Sequence, residues 1–247
     1  SIALDVTSSV RYQQQVEEKN RDLQDFSYMI SHDLKAPIFT ISGMLNLLKE
    51  DHGEKFTGEA SELLQHIENA TKRLNTLVQA VLDYSKITSR QNPSEPVDLN
   101  EVLKEISSDY SVQIAQNHCS LEIGSKFPVV VGDKLMLYQI FSNLIGNAIK
   151  YREPSRNLKI TISQGVSKGT HHAKIEVTDN GIGIPSDKIN SLFRPFFRIN
   201  TNSNIEGTGI GLACVKKLIY KLNGEISVSS NEGKGTTFTI SIPIART

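Results

Sequence analysis

The residue types and spacing of Ser31-His32-Asp33-Leu34-Lys35-Ala36-Pro37 are the first in this 247-residue chain that could do chemistry. The segment lies in a stretch that reads as a long helix. At 3.6 residues per turn His32 stands about 200° from both Ile30 and Leu34, so its imidazole is expected to point away from the apolar stripe. Pro37 has no amide proton to bond the carbonyl of Asp33, and its ring is expected to bend the helix one turn beyond the histidine. An outward imidazole beside a carboxylate can serve as a nucleophile. By itself it reads more readily as a solvated helical histidine, and the second half of the chain supplies the context.

Three further clusters lie there. Asn143, Asn147 and Lys150 are spaced four and three apart and share one face of a helix read at 133–150, whose other side (Ile140, Phe141, Leu144, Ile145, Ala148) can cover a sheet. Amide oxygens are hard ligands suited to Mg²⁺, and an adjacent ammonium suits a phosphate; the plain alternative is a solvated polar face. Asp179-Asn180-Gly181-Ile182-Gly183-Ile184-Pro185 follows an alternating strand at 173–178. Two glycines in three positions let backbone approach a flat ligand, and a carboxylate at a strand end can accept a hydrogen bond from an exocyclic amine such as adenine's; the plain alternative is an Asn-Gly turn. Gly207-Thr208-Gly209-Ile210-Gly211-Leu212 opens a helix read at 208–222, where exposed N–H groups and the helix dipole favour phosphate. It is neither a Rossmann fingerprint nor a Walker loop. Gly233-Lys234-Gly235-Thr236 also fails the Walker pattern, with Val228 where a glycine is needed, and reads as a tight strand connection.

The elements that must position these groups follow from pattern and composition. Lys and Arg number 27 and Asp and Glu 27, so no overall field draws nucleic acid or an anionic membrane. The two cysteines, Cys119 and Cys214, lack metal-ligand spacing and suit a reducing, cytoplasmic setting. No apolar run approaches the roughly eighteen residues of a membrane span, so no direct membrane insertion is expected, although a parent protein could be attached to one. Residues from about 10 to 50 read as one helix with apolar positions at Val16, Leu23, Ile30, Leu34, Ile38, Ile41, Leu45 and Leu48. Forty helical residues span roughly 60 Å, so this stripe needs a partner along its length. Residues 52–58 read as the turn of a hairpin. The helix beyond it carries a heptad seam of Leu63, Ile67, Ala70, Leu74, Leu77, Val81 and Tyr84. One hairpin buries little, whereas two share a core, which predicts a homodimeric four-helix bundle. The polar, proline-bearing segment 91–96 reads as a linker. Beyond it come a helix at 99–116, a strand at 120–124, the helix at 133–150, strands at 158–164 and 173–178, the helix at 208–222, and strands at 225–230 and 236–242. The fold class is therefore α+β: an antiparallel helical hairpin, then an α/β sandwich with one helical layer on one sheet.

In order and spacing these motifs resemble the ATP-binding domain shared by sensor histidine kinases, type II topoisomerases, mismatch-repair ATPases and some heat-shock chaperones. Residues 143–150 resemble the family's N box, 179–183 its G1 box, Leu192-Phe193-Arg194-Pro195-Phe196-Phe197-Arg198 its F box, and 207–211 its G2 box. The His32 segment resembles the H box of the histidine kinases, and the hairpin their dimerisation and phosphotransfer domain. The resemblance implies four parts: a signalling helix or linker from an upstream PAS-type sensor at 1–23, a dimerisation and histidine phosphotransfer domain at 24–90, a linker at 91–96, and a catalytic ATP-binding domain at 97–247. Residues 2–7 are similar to the exit strand and Asp-x-Thr signature of PAS domains.

Carried over, the resemblance implies that Asp179 receives the adenine amine while Gly181 and Gly183 let the base seat. Asn147 and Asn143 would hold Mg²⁺, and Lys150 and Arg198 would lie near phosphate charge. Tyr151 would line the nucleotide cavity. Gly207, Thr208, Gly209 and Gly211 would belong to a lid whose polar stretch is 200–204. Two of Phe193, Phe196 and Phe197 are expected in the core. The implied activity is ATP-dependent phosphorylation of His32, assisted by Asp33, with passage of the phosphoryl group to an aspartate of a response-regulator receiver. Two residues depart from the family pattern. Arg194 stands where an acidic residue is common. Ala36 stands where kinases that also dephosphorylate their partner carry threonine or asparagine, which predicts weak phosphatase activity. The rival readings are a dimeric scaffold that binds nucleotide without catalysis, and an ATP-driven conformational machine with water as acceptor.

Overall fold

The computed structural model describes residues 29–31, 33–89, 94–165, 171–199 and 207–245. His32, residues 1–23 and residues 200–204 lie outside the described residues. The chain divides into two compact units, residues 1–89 and 90–247.

In the first unit α1 is helical over 29–31 and 33–52 and continues through Pro37. A short 3₁₀ turn, Gly53–Lys55, leads to α2, Glu59–Ser89. Gly58 in this connection has φ +59°, the left-handed region that glycine enters without a Cβ penalty. The hairpin buries Ser31, Ile38 and Leu45 on α1, and Leu64, Thr71, Val78, Leu82, Ser85 and Ile87 on α2. Ile38, Val78 and Leu82 form one packed cluster. The expected heptad seam is offset from this face: Leu63, Ile67, Ala70 and Leu74 are exposed, while Leu77, Val81 and Tyr84 are half-buried. Ile30, Leu34 and Ile41 of α1 are exposed as well. Each helix carries an apolar stripe wider than a single neighbouring helix can cover, and the hairpin takes only part of it. Glu68 ties the two helices, accepting from Lys49 of α1 and, at 2.6 Å, from Lys72 one turn on.

The second unit has one sheet of five strands in the order β2-β4-β5-β7-β6: β2 Ser120–Ile123, β4 Lys159–Gln164, β5 His172–Asp179, β6 Glu225–Asn231 and β7 Gly235–Pro243. β2 and β4 pair in parallel and all other neighbours antiparallel. Side chains alternate along the strands, so Ile160 and Ile162, then Ala173, Ile175 and Val177, then Phe238, Ile240 and Ile242 face one side and are buried. Helices α3 Leu99–Asp109, α5 Lys134–Lys150 and α6 Gly211–Lys221 cover the sheet: α5 packs against both other helices and β5, and α6 against β6.

Three features differ from expectation. Glu95 and Pro96, read as linker, belong to β1, Glu95–Asp98, which pairs antiparallel with β3, Val129–Gly132. Four-residue strands are too short for alternation to register, and a proline is tolerated at such a sheet edge. The helix read at 99–116 is broken at Tyr110 into α3 and α4, Ser111–Gln116. There the Ser111 hydroxyl donates to the Ser108 carbonyl at 2.6 Å, a local bond that competes with the helical ladder. The helix read at 208–222 starts only at Gly211.

The Lys49 and Lys72 ammonium groups hold the Glu68 carboxyl well below its ordinary range, at about 2. Because the folded-state value is depressed, the contribution to stability is present above the unfolded value of 4.5 and is lost as pH falls towards 2. Acid titration of hairpin helicity is expected to show a Glu68-dependent loss in that window, which Glu68→Gln abolishes and high salt weakens, because the pair faces solvent.

Candidate functional site

Helix α5 starts where Asp133 accepts the Met136 N–H at 2.8 Å, a side-chain cap that sets where the helix begins and hence which residues face which way. Met136, Leu137, Ile140, Phe141, Leu144, Ile145, Ala148 and Ile149 are buried, while Asn143, Asn147 and Lys150 are half-buried on the opposite side. The Asn143 Nδ2 donates to the Gln139 carbonyl at 2.8 Å, which turns Oδ1 outward towards Gly211. A Cβ on Gly211 would stand 2.9 Å from that oxygen. Asn147 has no side-chain partner among the described residues. The Lys150 ammonium lies 4.8 Å from the centroid of the Tyr151 ring and so close to Gly207 that a Cβ there would be 2.0 Å from Nζ. The polar face of α5 and the segment 207–211, far apart in sequence, are thus in contact.

The Asp179–Gly183 loop closes against the same end of α5. Its Ile182 N–H donates to the Tyr151 carbonyl at 3.0 Å, and a Cβ on Gly181 would stand 2.6 Å from that oxygen. Gly183, at φ +69°, presses on the β6–β7 turn, where a Cβ would stand 2.1 Å from the Asn231 carbonyl. The expectation that these glycines serve a flat ligand therefore gains a prior cause: backbone meets backbone on both sides of the loop, with no room for a side chain. Asp179 sits between these contacts. Its Oδ1 accepts the Gly181 N–H at 2.8 Å, and Thr236, paired with it across β5 and β7, donates a backbone N–H. Burial pushes the Asp179 carboxyl above its ordinary value, an effect these two donors only partly offset. A desolvated carboxylate with spare acceptor capacity is a strong site for an amine donor.

The segment 207–210 is not helical; Gly209 has φ +73°, and the Ile210 N–H reaches the Thr208 Oγ1 at 3.3 Å. A Cβ on Gly209 would stand 2.8 Å from the Phe196 carbonyl carbon, so the second glycine of this motif packs on the F-box turn. None of the three phenylalanines enters the core. Phe193 and Phe197 are half-buried and Phe196 is 58 % exposed, with Leu192 the buried residue of the segment. The turn accounts for this: the Phe197 N–H bonds the Arg194 carbonyl, Pro195 holds the second position, and Phe196 takes φ +64° at the third, which aims its ring outward. Phe193 lies instead under Lys216 of α6, 5.5 Å from ring centroid to Nζ. Arg198 is half-buried.

Two supports were hidden in the sequence. The Asn180 side chain accepts the Lys159 N–H at 2.7 Å and donates to the Asn157 carbonyl at 3.0 Å, fastening the loop to the start of β4. Ser230 accepts the Ile184 N–H at 2.9 Å and donates to the Gly235 carbonyl at 2.8 Å. An Asn-Gly pair announces a turn but not these long-range partners. Among the described residues no group of three His, Cys, Asp or Glu could hold a metal. The Asn143 and Asn147 amides, half-buried on the polar side of α5, carry oxygens of the hard-donor type that suits Mg²⁺. No helix among the described residues is long and apolar enough to cross a membrane.

Residues 22–90 match the family of the His Kinase A (phospho-acceptor) domain, and residues 132–246 the family described as Histidine kinase-, DNA gyrase B-, and HSP90-like ATPase. The phytochrome-like protein Cph1 of Synechocystis sp. is 33% identical over 230 residues, 93% of this chain and 30% of its own length. The sensor histidine kinase RcsC of Escherichia coli K12 is 32% identical over 257 residues, 98% of this chain and 26% of its own. The chain thus spans less than a third of the length of these relatives. Full-length ShkA, solved in complex with AMPPNP, shares the fold with a TM-score of 0.68 over 90% of this chain and 46% of that one, at 24% identity. With a phospho-acceptor domain followed by an ATP-binding domain of this lineage, the chain belongs to the sensor histidine kinases of two-component systems.

Proposed function

We propose that this chain transfers the γ-phosphoryl group of ATP to His32 and then to an aspartate of a response-regulator receiver domain. The observation that carries the reading is the convergence around Asp179: a desolvated carboxylate lies beside Tyr151 and the end of α5, while the amide and ammonium face of α5 meets the glycines of 207–211. One side suits a purine amine and the other a polyphosphate. Adenine would donate its exocyclic amine to Asp179, Tyr151 would flank the cavity, and Lys150, Arg198 and the backbone N–H groups of Gly207, Thr208, Gly209 and Gly211 would meet phosphate charge. Asn147 and Asn143 would hold Mg²⁺, which when bound neutralises part of the triphosphate charge. Asp33 would accept a hydrogen bond from the His32 imidazole, favouring the tautomer whose other nitrogen attacks and stabilising the cation that develops. The N–P bond forms as the bond to the β-phosphate oxygen breaks, and ADP leaves with the electron pair. The phosphoryl group then passes from nitrogen to the receiver's carboxylate oxygen.

The proposed working form is a homodimer. Ile30, Leu34 and Ile41 on α1 and Leu63, Ile67 and Leu74 on α2 leave an apolar stripe 39 to 56 % exposed on one hairpin, which a second hairpin would bury in a four-helix bundle.

Incubation with radiolabelled ATP is expected to give acid-labile phosphate on the wild type and none on His32→Ala, with ADP binding retained by the variant. Label persisting on His32→Ala would overturn the acceptor, and brisk ATP hydrolysis surviving that change would favour an ATP-driven machine. Asp179 offers a second test. Its raised folded-state value means that stability declines as pH rises through that value, so Asp179→Asn is expected to raise the Tm of the nucleotide-free protein at pH 7. The same change turns an amide donor towards the adenine amine and is expected to weaken ADP binding about a hundred-fold. A third test concerns Ala36, exposed one turn past the acceptor, which has no group to orient an attacking water. Adding the kinase and ADP to a phosphorylated receiver is expected to leave its decay within about two-fold of the spontaneous rate, and Ala36→Thr to accelerate it.

A further inference from the structure

Arg156 lies in the loop between α5 and β4, outside every motif used above. Its Nη2 donates to the Gly181 carbonyl at 3.3 Å and to the Gly233 carbonyl in the β6–β7 turn. The Gly181 carbonyl and the Ile182 N–H belong to one peptide unit, and that N–H donates to the Tyr151 carbonyl at 3.0 Å. The unit directly after the one that donates to Asp179 is thus held at both ends by the 151–156 segment. On its far side the Gly233 N–H donates to the Ile182 carbonyl at 2.7 Å, so Arg156 reaches across to the turn that meets the loop from behind. Glycine lacks a Cβ to restrict its dihedrals, and an unclamped Gly181 could rotate this peptide and carry the Asp179 carboxylate with it.

We propose that Arg156 is a positioning residue for the nucleotide: by joining the Gly181 and Gly233 carbonyls it locks the direction of the Asp179 carboxylate and so sets affinity for the adenine base. This rests on the nucleotide reading above. Both bonds leave one guanidinium nitrogen, Nη2, which stands one atom further from the backbone than a lysine ammonium, so lysine keeps the charge but not the reach. Arg156 is itself exposed, so its loss is expected to leave the fold intact.

The test is calorimetric titration of the whole chain with ADP and with adenosine, for the wild type, Arg156→Ala and Arg156→Lys. Losing the clamp is expected to weaken ADP about ten-fold in both variants, to weaken adenosine by the same factor, and to leave Tm nearly unchanged. In phosphorylation assays KM for ATP rises while the rate at saturating ATP stays at the wild-type value. An unchanged Kd in Arg156→Ala overturns the inference. So does recovery by Arg156→Lys with adenosine unaffected, which would make Arg156 a phosphate-attracting charge. A wild type that binds no ADP would instead remove the nucleotide reading, and the inference with it.

Discussion

The second unit depends on one close contact: the Asp179–Gly183 loop passes between two other stretches of backbone with no space for side chains. Gly181 lies against the Tyr151 carbonyl, Gly183 against Asn231, and Gly235 of the returning strand against the Asp179 carbonyl, where an added Cβ would stand 2.0 Å away. Three segments from distant parts of the chain are held edge to edge by backbone hydrogen bonds, and the carboxylate between them loses much of its water. A group held this way binds a matching donor strongly because its desolvation cost is already met in the folded state. In the proposed reading packing and nucleotide recognition are thereby coupled, and substitution at any of the three glycines would act on both.

Helix α5 carries a second coupling. Its apolar side is packed between α3, α6 and the sheet, and its polar side holds the amides and the ammonium. The helix cannot rotate to adjust one side without disturbing the other. Tyr110 strengthens this, its hydroxyl 3.1 Å from the Ser142 carbonyl and 3.0 Å from the Ser142 Oγ, in a gap that stays open because residue 146 is glycine. The dense core beneath α5 therefore stiffens the face that the proposed ligand would meet.

The hairpin works by a different economy. Its internal core is narrow, centred on Ile38, Val78 and Leu82, and it is supplemented by the Glu68 ion pairs at the surface. The apolar seam that made the helices recognisable remains largely outside that core, and it is on this exposed seam that the proposed homodimer rests.

What was legible in the residues, and what was not, divides along a physical line. Long periodic stretches such as 134–150, and alternating strands such as 172–179, declare themselves because one face is buried along their whole length, whereas the helix at 59–89 is recognised by a seam that its own hairpin leaves largely exposed. The order of Asn143, Asp179 and Gly207 likewise identified a family before any contact was known. The four-residue strands β1 and β3, the break at Tyr110, the outward Phe196 and the true start of α6 were not legible, because each depends on hydrogen bonds or turn geometry at a point where periodicity carries no signal. By itself the sequence determined which residue types are available and on which faces of which elements they lie, since that follows from local periodicity. Only the tertiary structure decided that Asp179 is desolvated, that Gly181 and Gly183 are needed first for backbone packing, and that Arg156 reaches two carbonyls at once, since burial and close approach are properties of segments brought together from far along the chain.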